Sequence, residues 1–341
     1  MTDKKVAVVL FNLGGPDRPA AVQPFLINLF SDPNIIAAPK IIRWFLARLI
    51  AWRRTAVAQD IYARIGGGSP IVAETKKQTE ALEEYLKNQG YGFVRCFNMM
   101  RYWHPRAKDV LVEINRFAPE HVILLPLYPQ FSTTTTRSSL QEWYAEAEKL
   151  DFTAKIHVIC CYPEQPEFIA AHAALIQDQA SAYIGPGRVK KARLLFSAHG
   201  LPQRIVDTGD PYPMQVEKSA LAIAQKLGLE RDEWEICYQS RVGPLKWLGP
   251  STEERLHAAG EAKMPVVLVP IAFVSEHSET LVELDMEYRD LAMKAGVPVY
   301  IRIAALGVQP HFIQGLAQLV QNALSQAVLC GSGAARCMVD K

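Results

Sequence analysis

This sequence predicts an α/β fold built on parallel sheets, and three observations carry the prediction. Apolar strand-like runs recur along the chain, helical patterns separate them, and turn signals follow several at their carboxyl ends. The runs are 6–12, 92–100, 121–128, 156–162, 192–198, 234–239, 266–273 and 298–304. Asn12-Leu-Gly-Gly-Pro16 follows the first, Tyr128-Pro-Gln130 the third, Ser197-Ala-His-Gly-Leu-Pro202 the fifth and Ser275-Glu-His277 the seventh. Ligands of open α/β sheets bind at those ends. The succession of runs, divided at about residue 150, predicts two similar lobes. The expected division is 1–153, 154–310 and a C-terminal helix with a cysteine-containing tail, 311–341.

At 341 residues, 49% hydrophobic and 21% charged, the chain has the composition of a globular protein with a substantial core. Its 37 basic and 35 acidic residues leave a net charge of +2, so no nucleic-acid footprint is expected. Met1-Thr-Asp-Lys-Lys5 leads directly into strand-like sequence without the apolar region of a secretory signal, and the protein is expected to be cytoplasmic. No apolar stretch reaches the length of a membrane span. Residues 35–52, IIAAPKIIRWFLARLIAW, have the composition of a cationic amphipathic helix with aromatic anchors, which suits either core packing or a membrane surface.

The most informative segment is SEHSETLVELDMEY, residues 275–288. Glu279, Glu283 and Glu287 recur at four-residue intervals, so on a helix they form one acidic stripe, with Glu276 and His277 at its start. The run 265–274 delivers this stripe to the carboxyl end of a sheet. Stacked carboxylates repel by a few tenths of a kcal/mol per pair, and a cation or a proton relay would offset that. His199 lies just past another strand, where Gly200 and Pro202 fix an irregular turn. A histidine there titrates near neutrality, and an acidic stripe in the same sheet layer makes it a metal or proton site. Neither Asn12-Leu-Gly-Gly-Pro16 nor Arg64-Ile-Gly-Gly-Gly-Ser-Pro70 fits a phosphate-binding glycine fingerprint; both read as tight turns.

Taken in order, Asn12-Leu-Gly-Gly-Pro16, Pro24-Phe-Leu-Ile-Asn-Leu-Phe30, Arg53-Arg-Thr55, Arg64-Ile-Gly-Gly-Gly-Ser-Pro70, Arg101-Tyr-Trp-His-Pro105, Tyr128-Pro-Gln-Phe-Ser132, Ser197-Ala-His-Gly-Leu-Pro202, Gly209-Asp-Pro-Tyr-Pro213, Gln239-Ser-Arg-Val-Gly-Pro244, Trp247-Leu-Gly-Pro250 and the 275–280 segment resemble the ferrochelatase family. The resemblance runs from about residue 5 to 326. It implies a chelatase-like fold of two Rossmann-like lobes with a porphyrin cleft. The activity it implies is insertion of Fe(II), the substrate metal, into protoporphyrin IX with release of two protons. It makes His199 and Glu279 the catalytic and metal-contacting pair, with Glu276, Glu283 and Glu287 as proton or metal relay and the ladder on a partly π-helical turn. It also puts Arg53 and Arg54 at propionate-binding positions with Ser69 nearby, and Leu13, Arg101, Tyr102, Tyr128 and Trp247 in the porphyrin pocket. Phe25, Leu26, Leu29 and Phe30 match an apolar lip, and the adjacent cationic segment makes peripheral contact with the inner face of a membrane an expectation.

Imidazole and carboxylates suit a weakly held first-row divalent ion better than thiolates, which would retain it. Either His199 accepts the pyrrole protons while the stripe carries metal or charge, or His199 binds the metal; the favoured assignment is proton acceptor with transient contact to iron. Six cysteines are present. Some ferrochelatases hold a 2Fe-2S cluster, and here the candidate ligands are Cys160, Cys161, Cys330 and Cys337. Thr133 occupies the internal ligand position of the animal type, and Ser332 stands where a further C-terminal thiol is expected. The competing expectations are a chelatase for coproporphyrin or for cobalt in a corrin precursor, a haem carrier, and a dinucleotide oxidoreductase, the last disfavoured by the missing glycine fingerprint. Oligomeric state is left open by the sequence.

Overall fold

The computed structural model describes residues 4–185, 191–241, 245–331 and 337. The positions 242–244, within the Gln239-Ser-Arg-Val-Gly-Pro244 motif, and Ser332 lie outside them. The chain divides into two compact units, one of Met1–Cys161 with Leu316–Lys341 and the other of Tyr162–Gly315.

In the first unit, β1 (Val6–Asn12), β2 (Val94–Met100), β3 (His121–Pro126), β4 (Lys155–Cys161) and β9 (Val328–Cys330) form one parallel sheet in the order β2-β1-β3-β4-β9. Its crossovers are α1 (Val22–Phe30), α2 (Lys40–Ala63), α3 (Ile71–Asn88), α4 (Ala107–Phe117) and α5 (Ser138–Lys149). All seven residues of β1 are buried, the pattern of a strand covered on both faces, and this is why its sequence reads as a continuous apolar run. In the second unit, β5 (Arg193–His199), β6 (Trp234–Gln239), β7 (Val266–Pro270) and β8 (Tyr300–Arg302) form a parallel sheet in the order β6-β5-β7-β8. Its helices are α6 (Pro166–Ile184), α7 (Gln203–Asp207), α8 (Tyr212–Leu227), α9 (Thr252–Glu261) and α10 (Tyr288–Ala295), while α11 (Pro310–Ala323) runs across the boundary. Ser251 and Glu254 close a reciprocal cap on α9, with Ser251 N donating to Glu254 Oε2 at 2.8 Å and Glu254 N to Ser251 Oγ at 3.1 Å.

All eight expected runs contain a strand. The organisation differs in two respects. The fourth run belongs to the first sheet, because β4 pairs with β3 from His121 opposite Lys155 onward. Residues expected to form a separate tail instead return to that sheet, where the three-residue β9 adds a parallel edge to β4. The two glycine-bearing turns interlock: Ser69 N donates to Pro16 O at 2.7 Å, and a Cβ on Gly15 would lie 2.5 Å from that of Ser69. Glycine is required there by close approach.

Candidate active site

In the second unit β5 ends on His199, between β6 and β7, so the imidazole emerges at the carboxyl edge of the sheet. Gly200 lets the chain turn tightly, since a Cβ there would meet Gln239 O at 2.9 Å and Trp247 Cε3 at 3.4 Å. After β7 the chain passes Phe273 and His277 and enters a π-helical segment, Glu279–Glu287, before α10. Such i to i+5 geometry is uncommon and concentrates at functional sites.

His199 Nδ1 lies 3.0 Å from Glu279 Oε2. A carboxylate accepts only, so Nδ1 carries the proton and Nε2 keeps a lone pair. Burial disfavours charge on His199, but the adjacent Glu279 carboxylate, with Glu283 behind it, outweighs this and raises the imidazole above its ordinary value. Burial likewise opposes charge on Glu279, yet His199 and His277 hold its carboxyl well below the usual range. His277 is buried with Nε2 3.8 Å from the same Oε2 and its ring 4.5 Å from that of Phe273. Glu283 goes the other way: burial and the Glu279 charge raise it, against hydrogen bonds from Ser240 and Tyr288.

Ser240 connects the two carboxylates. Its Oγ is 2.5 Å from Glu283 Oε2 and 3.3 Å from Glu279 Oε2, while Ser240 N and Tyr288 OH donate to Glu283 Oε1 at 2.7 and 3.0 Å. A hydroxyl has one proton and cannot donate to both carboxylates. It donates to Glu283 Oε2 at the shorter distance and leaves Glu279 Oε2 as an alternative acceptor at 3.3 Å, so the hydroxyl can swing between the two carboxylates. Sequence reasoning missed Ser240; the available signal was its place directly after β6, and its φ of +59°, unusual for a residue with a side chain, fixes its direction.

Glu276 stands outside this chain of groups. Its Oε1 accepts from Arg302 Nη1 at 2.6 Å and from Ala305 N at 2.9 Å, so an arginine from β8 holds it as a charged structural pair. Glu287 is exposed at the far end of the segment. Trp247, half-buried, bridges to Pro202 beside the His199 turn.

The residues expected at the porphyrin pocket fall into two groups in the first unit. Arg53 and Arg54 are exposed on α2, and the Arg54 guanidinium lies 5.9 Å from the centre of the Phe30 ring. Leu13 and Leu29 are partly buried against the α1–α2 cluster. Phe25 and Tyr102, expected at an accessible lip and pocket wall, are instead packed inside that cluster, and Tyr102 is fully buried. The reason is the amphipathic pairing of α1 with α2, which turns Phe25 inward. Tyr128 is buried too, and burial pushes its phenol upward.

Cys160, Cys161, Cys330 and Cys337 converge in the first unit, their sulfurs all within 4.8 Å of one another. Successive strand residues normally face opposite ways. Between Ile159 and Cys161 the β4–β9 register shifts, and this irregularity lets both thiols reach one site. Cys161 Sγ lies 3.8 Å from Cys330 Sγ, and Cys160 Sγ donates to Cys337 O at 3.0 Å, beside Phe131. Hydrogen bonding to Cys161 and Cys337, together with burial, pushes the Cys160 thiol far up, and Cys161 is pushed up to about 12 by Cys337, burial and the neighbouring thiols, against a hydrogen bond from Cys160 that lowers it. Three buried thiols and the partly buried thiol of Cys330, converging on one point, suit sulfur coordination of iron or zinc, whose charge would stabilise the thiolates.

A family model described as Ferrochelatase matches residues 5–324. The chain is 50% identical over 325 residues to a ferrochelatase of Caulobacter vibrioides, covering 95% of this chain and 92% of that one. It is 51% identical over 324 residues to one of Phenylobacterium zucineum, with the same coverages, and 45% identical over 317 residues to one of Rickettsia bellii, covering 93% and 86%. Among solved structures, SirB from Bacillus subtilis with Fe3+ superposes with a TM-score of 0.54 at 14% identity, covering 95% of this chain and 98% of that one. The sirohydrochlorin chelatase SirB in complex with cobalt gives the same TM-score and coverages at 12% identity. These two share the fold. The match over nearly the whole sequence, at about half identity to several relatives, makes this chain a member of the ferrochelatase family.

Proposed function

We propose that this protein inserts Fe(II) into protoporphyrin IX, releasing two protons and forming protohaem. The observation that carries the reading is the His199–Glu279–Ser240–Glu283 chain, with His199 Nε2 left as a base at the open end. In this reading Nε2 accepts a pyrrole proton and the resulting imidazolium is held by the Glu279 carboxylate. Glu283 and Ser240 then redistribute the proton, while Fe(II), the substrate, meets nitrogen and oxygen groups that release it readily. Glu276 is a structural partner of Arg302 in this scheme. Arg53, Arg54 and Ser69 bind the propionates, and Leu13, Leu29 and Trp247 contact the macrocycle. The test is anaerobic turnover of Fe(II) with protoporphyrin IX, followed as loss of porphyrin fluorescence, beside parallel assays with coproporphyrin and with cobalt. Haem formation from protoporphyrin is expected; turnover of only the alternatives would overturn the substrate assignment.

Cys160, Cys161, Cys330 and Cys337 would hold a 2Fe-2S cluster, which when bound would supply a covalent tie between β4, β9 and residue 337. α2 would rest on the inner face of a membrane. Ile41, Phe45 and Trp52 are 74%, 63% and 68% exposed, and Arg48 stacks 3.7 Å from the exposed Trp44 ring, the pairing of apolar anchors and cations that anionic lipid attracts. No helix among the described residues is long and apolar enough to cross a membrane. Cosedimentation with anionic vesicles is expected to fall when Phe45 and Trp52 are both made serine; undiminished binding would remove α2 from the contact.

A further inference from the structure

The 31–39 loop joins α1 to α2 and is fastened at one buried carboxylate. The Asp32 side chain is fully buried and surrounded by donors. Its Oδ2 accepts from Arg101 Nη2 at 2.9 Å, from Tyr102 OH at 2.7 Å and from Ser138 Oγ. Its Oδ1 accepts from Asn34 N at 2.8 Å and Asn34 Nδ2 at 2.9 Å. A buried carboxylate is costly unless it is paired and fully hydrogen-bonded, and this one is both. Burial acts to raise its pKa, but the Arg101 charge and the hydrogen bonds prevail and hold it below the usual carboxylate value, so it stays ionised at neutral pH.

Arg101 is spent on the same network. Its Nε donates to Ser138 O at 3.1 Å and Ser138 Oγ at 2.7 Å, and its Nη1 to Glu142 Oε2 at 3.0 Å, where Arg106 Nε donates to the other oxygen at 2.7 Å. Arg101 therefore acts on the loop more directly than on a bound ligand. Asn28 of α1 adds a bond from Nδ2 to Tyr102 O at 3.0 Å, and Arg43 of α2 donates to Ser31 O at 3.0 Å and Ala38 O at 2.6 Å. Both helices that carry the proposed macrocycle and propionate contacts are thus referenced to the end of β2 and the start of α5 through Asp32.

We infer that Asp32 is a positioning residue for porphyrin binding, holding α1 and α2 in the relation at which Leu29, Arg53 and Arg54 meet the substrate. This rests on the proposed assignment of those residues to the porphyrin. The groups proposed to handle iron and protons belong to the other unit. Loss of the anchor should therefore appear in the porphyrin constants and leave iron and the chemical step alone.

Asp32→Asn keeps the shape but turns an amide N–H₂ toward a site where donors already converge. Porphyrin KM, and porphyrin Kd from fluorescence quenching, are expected to rise about tenfold, or ~1.4 kcal/mol. The expected kcat and iron KM stay within about twofold, and Asp32→Glu restores much of the affinity by returning the charge. Tyr102→Phe, which removes one donor, is expected to raise porphyrin KM about threefold with kcat kept. A folded Asp32→Asn with wild-type porphyrin KM, or one whose kcat falls while KM holds, overturns the inference. If Asp32→Asn does not fold, Tyr102→Phe decides by the same division between KM and kcat. Wild-type protein that does not bind protoporphyrin would sink the functional reading itself and this inference with it, an outcome distinct from any variant effect.

Discussion

Replacing His199 with alanine is expected to lower haem formation by about 10²–10⁴-fold, the range for removal of a positioned general base, while porphyrin binding changes little. The reason lies in which nitrogen is available. Glu279 accepts the hydrogen bond from Nδ1–H at 3.0 Å, so the base is Nε2, and nothing among the hydrogen bonds of the described residues occupies it. The same pair sets the pH dependence. The imidazole is raised above its ordinary value, so the protonated, non-basic form persists to higher pH than in a free histidine. Activity should rise with pH through that raised value. Ion-pair stability has the opposite sign: it is fully present below about 6.5, the unfolded value, and is lost as pH rises through the folded one. Glu279→Gln removes the main carboxylate acting on His199 and is expected to move the acid limb of kcat to lower pH while reducing its plateau. An acid limb that stays in place in Glu279→Gln would show that another group sets it, and wild-type turnover in His199→Ala would dismiss the base assignment.

Where the sequence was legible, single segments carried their own signal. Parallel strands covered on both faces, such as β1 and β7, are continuous apolar runs and announce themselves. The three-residue β9 has too few residues for any periodicity, and its pairing with β4 depends on residues about 170 positions apart. The acidic ladder was visible as spacing, but spacing treats its members alike. The structure separates them through residues outside the segment. Arg302 claims Glu276, Ser240 and Tyr288 claim Glu283, and His199 claims Glu279. The repulsion expected among stacked acids survives only between Glu279 and Glu283, where it raises the latter. Likewise, Phe25 looks like an exposed lip residue until α2 is laid against α1. Locally Asp32 shows only the turn it makes with Asn34; its other partners come from just past β2 and from α5.

Cys330→Ser is expected to abolish visible absorbance from iron and sulfide in anaerobically purified protein and to destabilise the first unit. Cys330 is the proposed ligand on β9, a strand of three residues whose first member is 47% exposed, so few apolar contacts hold it against β4. A cross-link through the four thiols would supply what burial does not, and metal-site binding energy is also folding energy where the free site is poorly held. A loss of about 2 kcal/mol would lower Tm by roughly 4–8 °C in a unit of this size. Cys237→Ser is the control: that thiol is fully buried but lies in the second unit, bonded to Phe196 O and Thr252, and should leave the absorbance intact. Proteolysis separates the structural tie from a purely redox role. If the four thiols fasten β9, Cys330→Ser protein should be cleaved faster near residues 324–331, whereas loss of colour with unchanged cleavage and Tm would show that β9 is held by its strand pairing alone.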